Sequence, residues 1–106
     1  MFARSVSFHL KPGRAAEFTQ LFDNDIIPML RKQMGFEDAI ALVAPGGLDA
    51  VAISVWDLKE NAENYARTGY PGVLYALAFV IEGTPRVETY DISNSTFHKS
   101  VGPVTA

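Results

Sequence analysis

The chain has 106 residues, 48% of them hydrophobic and 20% charged, with a net charge of −3. One globular domain fits that length, and the balance argues against disorder. The nine basic residues are scattered, which argues against nucleic acid as a partner. The absence of cysteine excludes disulfides, thiolate metal sites and a cysteine nucleophile.

Phe2 to Leu10 alternates, with Phe2, Val6, Phe8 and Leu10 on one side and Ala3, Ser5, Ser7 and His9 on the other. Arg4 is the exception on the apolar side. Period two with aromatics predicts a strand, and Lys11-Pro12-Gly13 ends it. Arg14 to Met34 has helical spacing, with Phe18, Leu21, Phe22, Ile26, Met29 and Leu30 on one stripe. Pro28 predicts a kink or break near Asp25, and Gly35 is a C-terminal stop.

Phe36 to Ala44 and Asp49 to Trp56 read as strands joined by a turn at Pro45-Gly46-Gly47. Lys59 to Arg67 reads as a helix. Thr68 to Gly72 interrupts it, and a second helical piece runs from about Val73 to Ile81. Glu82-Gly83-Thr84-Pro85 reads as a loop, and Arg86 to Thr96 alternates as a last strand. The domain is expected over residues 1–98, with a C-terminal tail at 99–106. The longest apolar stretch, Val73 to Ile81, is far short of the roughly 20 residues a membrane helix takes. With no basic-then-apolar N-terminal run, the expected location is cytoplasmic.

This order predicts an α+β fold, ferredoxin-like βαββαβ, with a four-stranded antiparallel sheet and helices on one face. The large apolar residues of the strands (Val6, Phe8, Leu10, Ile40, Leu42, Val51, Ile53, Val55) suit the helix side. The other face would then hold Ala3, Ser5, Ser7, His9, Ala39, Ala41, Val43, Ala50, Ala52, Ser54 and Trp56. That nearly uncharged surface is a poor solvent face, so a homodimer packed through it is expected, the alternative being a monomer with a weakly polar face.

Three passages resemble the antibiotic biosynthesis monooxygenase-like family of the dimeric α/β-barrel superfamily. They are Lys11-Pro12-Gly13-Arg14 with Phe18, Ile27-Pro28-Met29-Leu30-Arg31 with Gly35-Phe36, and Val55-Trp56-Asp57 with the helix up to Tyr65. The ending Ile81-Glu82-Gly83-Thr84-Pro85 with Tyr90 is similar to some members as well. The resemblance implies a ferredoxin-like protomer dimerised through its sheets. Some members oxygenate aromatic polyketides without metal or flavin, some degrade haem, and many have no known activity. For the oxygenases the resemblance implies a pocket between sheet and helices where a Trp, Tyr or Asn binds and deprotonates a phenol. Trp56 is the position that carries over. The haem-degrading branch needs an Asn on strand one and a His on helix two, where this chain has Val6 and a position near Tyr65.

The candidate catalytic residues are His9, Trp56 and Tyr65. Ser5, Ser7, Ser54 and Tyr70 are candidates for substrate binding, and no metal or cofactor is expected. Trp56 either presents a flat wall and an indole N–H or plugs the core. His9 is a general base near neutral pH or a hydrogen-bonded wall residue. Ser5 and Ser7 lack a nucleophile elbow and read as small wall residues. Tyr65 and Tyr70 flank the broken helix as a pocket lip, or merely pack and turn the chain. His98 is read as exposed. Asp23-Asn24-Asp25 lacks the ligand spacing of a calcium loop, and Gly46-Gly47 sits in a hairpin rather than a phosphate loop.

Two functions are compatible with this reading. One is a cofactor-independent monooxygenase acting on a small aromatic or phenolic molecule held against Trp56, with His9 or a tyrosine handling the proton. The other is a non-catalytic dimeric domain that binds an apolar ligand or simply assembles. They part on whether His9 or a tyrosine faces a cavity of ligand size beside Trp56.

Overall fold

The computed structural model describes residues 1–96, so His98 and the tail at 99–106 lie outside the described residues. The elements run β1 (Phe2–Leu10), α1 (Ala15–Leu21), a π-helical turn (Phe22–Ile26), α2 (Ile27–Arg31), β2 (Phe36–Val43), β3 (Asp49–Trp56), α3 (Lys59–Thr68), α4 (Tyr70–Leu77) and β4 (Ile81–Asp91). The strands form one antiparallel sheet in the order β2-β3-β1-β4, with the helices packed on one face. This is the ferredoxin-like arrangement that the element order predicts.

Several local features follow from single residues. Pro28 has no N–H to give and its ring crowds the carbonyl one turn back. The helix absorbs it by widening into the π turn at Phe22–Ile26, around the expected break near Asp25. Gly35 carries φ +83°, and a Cβ there would sit 2.5 Å from the Asn61 amide nitrogen. The turn into β2 can therefore press against the start of α3 only as glycine.

Both of the last two elements begin and end earlier than the sequence reading has them, α4 ending at Leu77 rather than Ile81 and β4 at Asp91 rather than Thr96. Tyr70-Pro71-Gly72 does not interrupt the helix. Only Gly69 separates α3 from α4, and Pro71 sits in the first turn of α4, where its missing N–H costs nothing. Glu82 to Pro85 is not a loop but the start of β4. A register shift between the pairs Ser7–Arg86 and His9–Glu82 sets the single residue Phe8 of β1 against three of β4, Gly83, Thr84 and Pro85. The extra residues include Gly83 at φ +71° and Pro85, turn-like residues that a bulge accommodates.

The pairing register also corrects the faces. Phe2, Arg4, Val6 and Phe8 stand opposite Trp56, Ser54, Ala52 and Ala50, while Ala39 and Ala41 pair with Ser54 and Ala52. The small residues of β2 and β3 therefore face the helices. Ile40, Leu42, Val51, Ile53 and Val55 share the opposite face with Ala3, Ser5 and Ser7. The reason is volume. The helices deliver Phe18, Phe22, Ile26, Leu30, Tyr65 and Leu77 into the core, all buried. Alanines beneath such large side chains let the layers interdigitate at native density.

Candidate functional site

The chemistry gathers between the sheet and the α3–α4 break. Trp56 ends β3 on the helix side with 0% exposure. Its ring stacks on Tyr65 of α3 at 4.9 Å between centroids and meets Phe36 edge-on at 5.7 Å. Its indole N–H donates to Ser54 Oγ at 2.9 Å. Gly69 makes room for Tyr65, since a Cβ at that glycine would lie 2.7 Å from the Tyr65 ring. The chain then turns so that Tyr70 meets Tyr65 nearly edge-on at 6.2 Å.

Arg4 completes the cluster. It points from β1 to the helix side and is only 6% exposed. Its guanidinium carbon lies 3.9 Å from the centre of the Tyr70 ring and 5.5 Å from that of Tyr65. These are cation–π distances. Among the described residues no carboxylate forms an ion pair with Arg4.

A cavity of about 30 Å³ opens here, lined by Arg4, Ser54, Tyr65 and Tyr70 with apolar residues such as Phe22 and Ile26. That is room for about two waters and not for a ring. Burial pushes the Tyr65 hydroxyl up to about 12, against the pull of Arg4 and with a smaller push from Tyr70. Burial also raises Tyr70, again against the charge of Arg4. Both phenols therefore stay protonated at neutral pH and act as hydrogen-bond donors rather than as bases.

The sequence-derived candidates divide. Ser54, Tyr65 and Tyr70 line the cavity. Trp56 stands behind Tyr65 with its donor already used, in the plugging role rather than as a wall. Ser5, Ser7 and His9 point to the opposite face, so the single face on which the sequence reading grouped them with Ser54 and Trp56 does not exist. His9 is exposed at the end of the sheet, with Nδ1 2.8 Å from Asp49 Oδ1. In the sequence Arg4 is only a break in the alternation. A charge at a core position of a strand is the signal that marks it. Among the described residues no group of three His, Cys, Asp or Glu side chains could hold a metal, and no helix is long and apolar enough to cross a membrane.

The fold is that of antibiotic biosynthesis monooxygenase-like proteins. A monooxygenase of Streptomyces coelicolor (ActVA-Orf6), solved with nanaomycin D, superposes with a TM-score of 0.74 at 16% identity over 92% of each chain. SnoaB of Streptomyces nogalater, a cofactor-independent oxygenase, gives 0.71 at 20% identity over 89% of this chain and 94% of that one. A protein of unknown function from Nitrosomonas europaea gives 0.74 at 16% identity over 93% and 95%. No protein-family model and no curated protein matches the sequence.

Proposed function

We propose that the chain is a cofactor-independent, monooxygenase-like protein acting on a small aromatic or phenolic molecule between the sheet and the α3–α4 break. The observation that carries this reading is the cavity lining. It joins aromatic faces and two protonated phenols with no described carboxylate or imidazole. Such a lining cannot supply a strong base, so the substrate must be acidic and easily oxidised by itself. The chain then contributes water exclusion, orientation and hydroxyl donors to the substrate anion. With an anthrone-like substrate, the carbanion takes up O₂ as a hydroperoxide. Loss of water leaves a carbonyl, so one oxygen atom ends in product and one in water. Because the cavity holds no ring as it stands, entry requires a lining side chain to move. Tyr70, half-buried at the start of α4, is the candidate.

In this proposal Tyr65 donates to the developing oxyanion. Oxygen uptake with anthrone-like or quinol substrates, on chelator-treated and flavin-free protein, tests it. Uptake above the buffer rate is expected, with a loss of about 10²-fold in Tyr65→Phe, as for removal of one oxyanion donor. Uptake at the buffer rate, or unchanged in Tyr65→Phe, would overturn it. The small cavity favours the second reading, a non-catalytic dimeric domain that binds an apolar ligand or simply assembles, which predicts no oxygen uptake.

The same proposal includes a homodimer, and its support is the open sheet face. Ile40 and Leu42 are about half exposed there, beside Ile53 and Val55, around a depression of about 650 Å³ that Ile92, Asn94 and Ser95 border. An apolar surface of this kind marks an interface, and a second copy covers it by twofold symmetry. A cytoplasmic setting, consistent with the lack of cysteine, belongs to this reading.

A further inference from the structure

The Arg4 guanidinium poses a problem that the packing alone does not solve. A buried charge is stabilised by an opposite charge or by a full set of hydrogen bonds. Here the side chain is more than nine-tenths buried and lines the cavity. The residues that stand opposite it in the sheet, Ser54 on β3 and Thr89 on β4, are neutral. The residues stacked on it, Tyr65 and Tyr70, are neutral phenols, and the hydrogen bond that Arg4 gives Tyr70 brings no opposite charge. No carboxylate among the described residues pairs with it. The local charge is therefore +1 in an aromatic pocket of an otherwise acidic chain.

We infer that Arg4 receives the carboxylate of an aromatic acid, which the ligand brings as the missing counter-charge. The guanidinium presents paired N–H donors in a planar fork that matches a carboxylate's two oxygens. The free volume of about 30 Å³ is room for about two waters, which suits those two oxygens and not a tetrahedral phosphate. The ligand's ring then takes the place where Tyr70 stands, against the face of Tyr65. It replaces one π contact of Arg4 with another and adds the charge that Tyr70 lacks. This inference rests on the cavity reading of the preceding section and narrows its substrate to aromatic acids. It needs no oxygen chemistry.

The test compares matched pairs of an acid and its amide, benzoate with benzamide and salicylate with salicylamide. Trp56, the chain's single tryptophan, stacks on Tyr65 and so reports binding by its fluorescence. Wild-type protein is expected to bind each acid at least about tenfold more tightly than its amide. Arg4→Gln is expected to lose that preference while its amide affinity stays within about threefold, and Arg4→Lys to keep part of it. Equal affinity of acid and amide in the wild type would overturn the inference without any variant, as would an acid preference that survives in folded Arg4→Gln. A clear acid preference with no oxygen uptake would sustain Arg4 as the carboxylate receptor and remove only the oxygenase reading. Oxygen uptake equally fast on neutral quinols and on their carboxylated analogues would do the reverse.

Discussion

Trp56→Ala is expected to cost about 3–5 kcal/mol of folding stability, as for other large-to-small changes in a well-packed core. The side chain is fully buried and touches three supports at once: Phe36 edge-on, Tyr65 face-on and Ser54 through its N–H. Truncation opens a cavity, removes an aromatic pair worth roughly 1 kcal/mol and leaves the Ser54 hydroxyl without its donor. In a chain of this size such a loss lowers the melting midpoint by at least about 12 °C. Trp56→Phe, which keeps most of the volume, is expected to cost markedly less. Chemical denaturation followed by circular dichroism measures both. A loss under about 1 kcal/mol for Trp56→Ala would mean that this ring is not the structural support of Tyr65 described here.

Ile40→Glu is expected to turn the proposed dimer into a monomer. Ile40 is 51% exposed in the single chain and pairs with Ile53 on the open sheet face. A glutamate at a half-exposed strand position costs the monomer little. In a face-to-face dimer it would be buried twice, once from each copy. Removing that charge from water costs several kcal/mol per site, enough to weaken association by 10²-fold or more. Light scattering at micromolar concentration is expected to give twice the chain mass for wild type and the single-chain mass for Ile40→Glu, with unchanged circular dichroism. A wild-type protein that runs as a single subunit would remove the dimer.

The strands, both helical regions and their order were legible because alternation and helical spacing are local properties of the chain. The helix break near Asp25 was legible from Pro28 for the same reason. What the sequence could not deliver was which side of β2 and β3 faces the helices. Alternation separates Ile53 from Ser54 but does not orient either one; the partner strand's register does. The rule that large apolar residues point to the core failed because the helices supply the bulk. The sheet beneath them answers with Ala39, Ala41, Ala50 and Ala52.

The site followed suit. Tyr65 and Tyr70 meet at the α3–α4 break that they flank in the sequence, whereas Ser54 and Trp56 join them only because the register turns their face toward the helices instead of away from them. His9, Ser5 and Ser7 were lost to the far face by that same register. Residues 82–85 looked like a loop since Gly83 and Pro85 are turn formers, and only the pairing with β1 shows that they form a bulge. Arg4 was visible in the sequence as a charge among apolar residues. Its importance emerges only once the ring of Tyr70 is seen 3.9 Å away with no carboxylate among the described residues paired to the charge.

In the function proposed here a small aromatic ligand enters between sheet and helices rather than against the open sheet face. Amide chemical-shift mapping during a titration with salicylate tests it most directly. The largest shifts are expected on Arg4, Ser54, Tyr65, Gly69 and Tyr70. Shifts concentrated on Ile40, Leu42, Ile53 and Val55, with the α3–α4 break unmoved, would contradict it.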